Sequence, residues 1–207
     1  MNDNQSFLVR PEEVLLLDNK KERIVHSAIE VFQEKGIEKA KVSDIVKGAG
    51  IAQGTFYLYF SSKLAVMPSI AEVMVGKMLD TIKQEAEPLE GFREKLEKVV
   101  DCVFRLTEAD RDVFALIYAG MAATEHLNEW ESIYTEYYSW MAEQLETAKA
   151  RNEIHSETVS DEAAVLVIGL IESAADQTYL FSPKGKLDAN RKKQAVLQFA
   201  ARALEMD

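Results

Sequence analysis

Apolar residues recur at helical spacing along most of the chain. In the segment KKERIVHSAIEVFQEKG they fall on one helical face, which predicts a first helix over about residues 20–35 that ends at Gly36. The next periodic segment, residues 43–49, is short and stops at Gly50, and another short helix follows it closely. The N-terminal part of the chain therefore predicts one helix of ordinary length followed by two short ones.

The same periodicity continues beyond Lys63 and predicts longer helices over about 89–106, 110–122, 126–150, 161–181 and 188–205. No segment alternates convincingly as a strand does, so we expect an all-α fold of about nine helices. Pro68 falls inside the expected fourth helix, where its missing N–H predicts a fixed kink before a hinge. We divide the chain into a flexible N-terminal arm (1–18), a small helical domain (19–65) and a larger one (66–207).

Charge is distributed unevenly between these parts. The whole chain carries a formal charge of -11, which argues against a general binder of polyanions. Residues 19–63 nevertheless contain more Lys and Arg than Asp and Glu, so the cationic part of the chain is confined to one end. This asymmetry suggests two separate tasks, although a small local excess is also compatible with ordinary surface scatter.

Several classes of protein are not indicated by the sequence. The chain shows no signal peptide and no apolar run of membrane-spanning length, and its one cysteine, Cys102, cannot form an internal disulfide, so we expect a cytoplasmic protein without a membrane partner. Catalytic motifs, phosphate-binding glycine loops and metal-ligand spacings are missing, and the three histidines are isolated. We therefore expect no enzyme, no metal site and no cofactor.

One constellation carries a specific function. The order SDIVKGAG, IA, QGTFYLYF is a short helix, a tight turn and a second short helix, the pattern of a DNA-binding helix-turn-helix. Gly50 can take the positive φ that the turn requires. At 100° per residue, Phe56 and Phe60 fall on one face and pack inward, so the opposite face of this helix is predicted to meet a nucleotide duplex.

The segment EKGIEKA followed by VSDIVKGAGIAQGTFYLYFSSKLAV resembles the N-terminal signature of the TetR family of bacterial regulators over about residues 20–67. This resemblance implies a regulator that binds double-stranded operator DNA, senses a ligand in a variable helical domain and dimerises through its last two long helices. By position, it implies that Gln53, Gly54, Thr55 and Tyr57 face the major groove and that Ser43, Tyr59 and Lys63 contact or lie near phosphates.

The chain departs from the usual TetR pattern at several positions. Ala40 and Lys41 stand where many relatives have a Thr pair, Ala52 where a capping Ser is common, and Leu58 where a second aromatic hydroxyl is common. Ser43 substitutes only partly for the missing cap. Lys41 is expected to compensate electrostatically and is included among the predicted DNA contacts.

Two further sets of residues are assigned to the larger domain. Aromatic and methionine side chains of the central helices are typical of a core, and the same types line apolar pockets, so a pocket for a small hydrophobic or amphipathic effector is expected among Phe104, Tyr118, Met121, Trp130, Tyr134 and Tyr137. Apolar stripes on the last two helices are assigned to a homodimer interface: Ala164, Ile168, Ile171, Ala175, Val196, Phe199, Ala200 and Ala203.

The sequence therefore predicts a ligand-responsive DNA-binding regulator, expected to be a repressor that a hydrophobic small molecule releases from a palindromic operator. The alternative is a dimeric helical ligand-binding or scaffold protein that has lost operator binding, which the missing caps and the overall acidity would suit. Neither the effector nor the operator is named by the sequence.

Overall fold

The computed structural model describes residues 11–122, 130–181 and 188–206, and their side chains over 19–120, 131–181 and 188–206. Within these ranges the chain is helical and contains no strand, which confirms the predicted all-α fold. The α-helices are α1 (Pro11–Lys39), α2 (Val42–Ala49), α3 (Gln53–Tyr59), α4 (Met67–Ala86), α5 (Phe92–Ala109), α6 (Arg111–Ala122), α7 (Trp130–Ala150), α8 (Ser160–Tyr179) and α9 (Ala189–Ala203), with a 3-10 turn at Leu64–Val66.

The first helix is longer than the sequence pattern predicts. It begins at Pro11, a residue type suited to the first helical position, so residues 11–18 are helical instead of forming the expected arm. The predicted end at Gly36 appears as a break inside α1, since Gly36 has a φ of 75°. Such a conformation favours glycine, and it redirects the chain shortly before α2.

The chain divides into two compact units, Met1–Ile70 and Ala71–Asp207. In the first unit, α1 and α2 approach each other closely: the Ser27 hydroxyl donates to the Ile45 carbonyl at 2.8 Å, and a Cβ added to Gly48 would lie 2.2 Å from the same Ser27 oxygen. Only glycine permits this approach. The fold therefore uses Gly48 for packing between helices.

The end of α2 is closed by a residue of α1. Gly50 adopts the left-handed conformation at the helix C-terminus, as the sequence predicts. The Arg23 guanidinium donates to the carbonyls of Ala49 and Gly50, two acceptors that the helix itself leaves unpaired. A cation at a helix C-terminus also interacts favourably with the helix dipole.

The second unit is built around α5 and α8, which contact each other; α9 packs against both, and α7 packs against α8. Its core contains Val103, Phe104, Tyr137, Met141 and Ile171, all nearly inaccessible to solvent. Pro68 lies in the first turn of α4, where a missing N–H costs no helical hydrogen bond. The kink expected at Pro68 is wrong for this reason.

Among the described residues, no single helix is long and apolar enough to cross a membrane; one bent pair, Gln53–Tyr59 with Leu64–Ala86, reaches the required length and composition only when its two parts are taken together across a bend of 53°.

Candidate functional site

The short helix α3 buries one face and exposes the other. The Phe56 and Phe60 rings are buried, with Phe56 fully inaccessible, and the two ring centroids lie 5.7 Å apart. On the opposite side Tyr57 is 51% exposed and Leu58 is 81% exposed. The predicted inward orientation of the two phenylalanines is therefore confirmed, and α3 presents a free face to solvent.

The exposed face of α3 is small and uncharged at its N-terminal end. Gln53 and Gly54 are exposed and Thr55 is half-buried. A Cβ added to Gly54 would meet nothing within 4 Å, so packing inside the first unit does not require a glycine there. Close approach of another molecule to the backbone is a reason for glycine at such a position. With Tyr57, these residues offer amide, hydroxyl and methyl groups of the kind that read base edges.

At the start of α2, the helix cap differs from the one that the sequence suggested. Asp44 accepts a hydrogen bond from the Lys41 backbone N–H at 3.1 Å and an ion pair from Lys35 at 2.9 Å, and the Lys35 hydrogen bond lowers the pKa of the Asp44 carboxyl. Ser43 makes no capping bond and is exposed, as is the Lys41 side chain. Both side chains are therefore positioned on the surface near the entrance to α2.

The Lys63 ammonium is committed to the protein backbone. Its Nζ donates to three carbonyl oxygens at the end of α1 and beyond it: Ile37 at 2.6 Å, Ala40 at 2.9 Å and Glu38 at 3.0 Å. A lysine ammonium has three protons to donate, so these bonds use all of them. The structure therefore gives Lys63 a different task from the phosphate contact that the resemblance implies: it fastens the chain after α3 to the end of α1.

The Tyr59 hydroxyl is also unavailable in this conformation. Its oxygen is enclosed and finds no hydrogen-bond partner among the described residues. A phosphate could not reach it without movement of the surrounding side chains. Of the eight predicted DNA-contacting residues, six lie on the exposed or partly exposed surface, namely Lys41, Ser43, Gln53, Gly54, Thr55 and Tyr57, whereas Tyr59 and Lys63 direct their polar atoms inward.

A small cavity lies within the second unit, between side chains of α4, α5, α6, α7 and α8. Its lining is Ala71, Val75, Met78, Thr107, Phe114, Ile117, Tyr118, Tyr134, Glu172 and Asp176. Two of the predicted ligand-binding residues, Tyr118 and Tyr134, belong to it. Phe104 and Tyr137 instead fill the core, and the Met121 and Trp130 side chains lie outside the described residues.

Two carboxylic acids in this cavity were missed by the sequence reasoning. Asp176 is buried and accepts a hydrogen bond from the Tyr118 hydroxyl at 2.5 Å, and burial raises the pKa of its carboxyl. Burial raises the pKa of Glu172 to about 8, and the Tyr134 hydroxyl bonds to the same carboxyl. The signal was present in the sequence, because IESAAD places two acids one helical turn apart in an otherwise apolar segment.

The predicted dimer stripe is largely wrong. Six of its residues are buried in the core of the same chain and cannot meet a partner: Ala164, Ile168, Ile171, Ala175, Val196 and Ala200. Phe199 and Ala203 are exposed, and α8 contributes Val165 and the 72% exposed Leu166 to the same shallow apolar groove. Because α8 is apolar on most of its circumference, periodicity alone did not separate its inner face from its outer face.

Comparison with known families identifies both parts of the chain. Residues 24–70 match the family model described as bacterial regulatory proteins, tetR family. Residues 96–204 match the model described as tetracyclin repressor-like, C-terminal domain. The two matches cover the segment that carries α2 and α3 and most of the segment that carries the cavity and the apolar groove.

Individual proteins give the same result. The uncharacterized HTH-type transcriptional regulator YvdT of Bacillus subtilis is 44% identical over 78% of this chain and 83% of its own length. The fatty acid degradation regulator FadR from Bacillus halodurans superposes with a TM-score of 0.72 at 25% identity, covering 91% of this chain and 97% of that one. FadR from Bacillus subtilis, solved in complex with stearoyl-CoA, has a TM-score of 0.68 at 24% identity, covering 86% of this chain and 96% of that one.

Proposed function

Since the chain belongs to the TetR family and is a ligand-responsive DNA-binding transcriptional regulator, we propose that it is a repressor that binds a palindromic operator as a homodimer and is released by a hydrophobic or amphipathic small molecule. The observation that carries this proposal is the orientation of α3. Its aromatic residues Phe56 and Phe60 are buried and its opposite face is free, as a recognition helix in a major groove requires.

The proposed DNA interface has two parts. Gln53, Gly54, Thr55 and Tyr57 on α3 contact base edges, whereas Ser43 and the Lys41 ammonium contact phosphates beside α2. The exposed Lys39 and Lys47 can supply further phosphate contacts, since the ammonium of Lys63 already binds carbonyls. Lys63 and Tyr59 then act by holding α3 in position, and neither needs to touch DNA.

The proposed homodimer uses the apolar groove of α8 and α9. Leu166 and Phe199 are 72% and 65% exposed, and with Val165 and Ala203 they form a continuous apolar surface. Exposed apolar patches of this kind mark protein–protein contacts. A two-fold interface places two copies of α3 about one DNA turn apart, roughly 34 Å, and so requires a palindromic operator.

Effector and operator are proposed to oppose each other through α4. This helix starts in the first unit, and its residues Ala71, Val75 and Met78 line the cavity of the second. A ligand that enlarges the cavity changes the position of these residues and therefore the setting of the helix. By thermodynamic linkage, the ligand weakens operator binding by the same factor by which the operator weakens ligand binding.

Operator binding is tested with purified full-length protein and fragments of the genomic DNA that surrounds its own gene, by fluorescence anisotropy. We expect a specific fragment to bind as one dimer per palindrome and to resist competition by unrelated DNA. The matched variants are Thr55→Ala on α3 and Leu166→Lys in the groove, with Val159→Lys, a change at an exposed apolar residue outside the groove, as the control. Binding of no fragment by a folded dimer would favour the scaffold alternative instead.

A further inference from the structure

The chemistry of the cavity identifies the class of effector, an inference that rests on the proposed function. We propose that the ligand is an organic cation with an apolar or aromatic body, and that it binds between the carboxyl groups of Glu172 and Asp176 and the tyrosine rings beside them. The stearoyl-CoA of the structural neighbour is by contrast a polyanion with a long alkyl chain.

The two carboxyl groups have no cationic partner among the described residues. They lie one turn apart on α8 and both line the cavity, and the groups that bond to them are the hydroxyls of Tyr118 and Tyr134. None of the described ion pairs includes either acid. Buried carboxylates are normally paired with a cation or a metal, because desolvation of an unpaired charge is costly. A ligand cation supplies the missing charge.

The remaining walls suit the rest of such a ligand. Val75, Met78, Phe114 and Ile117 provide apolar surface from α4 and α6. The rings of Tyr118 and Tyr134 present π-systems, which attract ammonium or phosphonium groups most strongly where water is excluded. An anionic headgroup at the same place would meet two acids, so the lining selects against fatty acids and acyl thioesters entering head first.

The cavity must open to admit a ligand. The enclosed space is about 10 Å³, room for about one water molecule. Tyr118 covers Asp176 from α6, and its ring, which contacts the exposed Phe181 ring at a centroid distance of 5.9 Å, reaches the surface. A cation that binds Asp176 replaces the Tyr118 hydroxyl as its partner. Displacement of this tyrosine is the rearrangement that couples binding to the helices around the cavity.

Binding is linked to protonation of Glu172. With a pKa of about 8, this carboxyl is mostly neutral at pH 7 in the free protein, and a bound cation favours its ionised form. Cation binding therefore releases protons near neutral pH and becomes tighter as the pH rises toward about 8. The titratable or charged groups near Glu172 lie on α5 to α8 and none lines the cavity from α4; they are Cys102, Tyr118, Tyr134, Tyr137, Tyr138 and Asp176.

The test compares probes that differ in charge and share a shape. Tetraphenylphosphonium and tetraphenylborate are titrated into the DNA-free protein by calorimetry, with phenyltrimethylammonium as a smaller cation and stearoyl-CoA as the anionic alternative. We expect at least one of the two cations to bind about tenfold or more tighter than tetraphenylborate and to release protons, seen as a dependence of the heat on the buffer. Glu172→Gln with Asp176→Asn should weaken that cation about tenfold or more and abolish the proton release.

Glu162→Gln, at an exposed acid of the same helix, is the matched control and should bind the cations as the wild type does. Thermal unfolding checks that the double variant is folded; should it not fold, the single variant Glu172→Gln carries the comparison. Equal affinities for cations and tetraphenylborate, or cation binding unchanged in the variant, would overturn the inference. Release of DNA by stearoyl-CoA and by no cation would leave the proposed function intact and refute the cationic effector, whereas failure to bind any operator would refute the proposed function alone.

Discussion

The first unit turns cations inward and the second turns acids inward, and the two are compensated differently. Arg23 and Lys63 point at helix C-terminal carbonyls, so each positive charge meets several oxygens of its own chain. Glu172 and Asp176 meet tyrosine hydroxyls and no described cation. Charges of the first kind are satisfied and serve the fold. Charges of the second kind leave a need that a ligand can fill, and this distinction separates structural residues from binding residues.

The largest expected effect concerns the buried face of α3. Phe56→Ala removes a fully buried ring and should lower the free energy of unfolding of the first unit by about 3–5 kcal/mol, with loss of operator binding. Leu58→Ala, on the exposed face of the same helix, should change it by less than about 0.5 kcal/mol. Denaturant titration with a probe in the first unit measures both, and equal losses would mean that the two faces are not distinct.

A smaller effect should separate structural cations from DNA-binding cations. Lys63→Met leaves three carbonyls without their partner and should destabilise the first unit by about 1–3 kcal/mol, without changing the salt dependence of operator binding. Lys41→Met should do the reverse, leaving stability unchanged and lowering the slope of log K against log salt by about 0.9. If Lys63→Met lowers the slope in the same way, Lys63 contacts a phosphate and the comparison fails at that residue.

The acids of the second unit should make stability depend on pH. In the unfolded chain Glu172 loses its proton near its ordinary pKa of 4.5, whereas in the folded protein it keeps the proton up to about 8. The folded state therefore binds more protons in this window, and the free energy of unfolding falls as the pH rises through it. Glu172→Gln should remove this fall, so that its melting temperature drops less than that of the wild type between about pH 5 and 8.

Thermal melts in matched buffers measure this difference, with a shift on the order of 2–4 °C for each kcal/mol. Glu162→Gln serves again as the control, because its carboxyl is exposed. Parallel profiles for the wild type and Glu172→Gln would show that this carboxyl ionises normally in the folded protein.

Local patterns predicted the parts of the molecule that local patterns determine. The inward turn of Phe56 and Phe60 follows from helical spacing, and the end of α2 follows from the conformational freedom of Gly50. The bonds of Lys63 join residues more than twenty positions apart, and nothing in the neighbourhood of Lys63 along the sequence announces them. The family resemblance therefore suggested a phosphate contact where the fold forms an internal one.

The second unit shows the limit of periodicity more clearly. A helix apolar on most sides, such as α8, has both a core face and an exposed face, and only packing shows that Ile168 lies in the first and Leu166 in the second. The cavity was expected among aromatic residues because apolar pockets use them. Its acids were overlooked because acids were read as surface residues, although Asp176 lies on the face of α8 that also carries Ile168 and Ile171.

The measurement that tests the account most directly is the effect of a cation on operator affinity in two proteins. Operator binding is titrated with and without saturating tetraphenylphosphonium, or phenyltrimethylammonium if that is the tighter ligand, for the wild type and for Glu172→Gln with Asp176→Asn. The account predicts that the cation weakens operator binding by the wild type, by about 5- to 150-fold, and leaves the equally tight binding of the variant unchanged. The same response in both proteins, or none in the wild type, would contradict it.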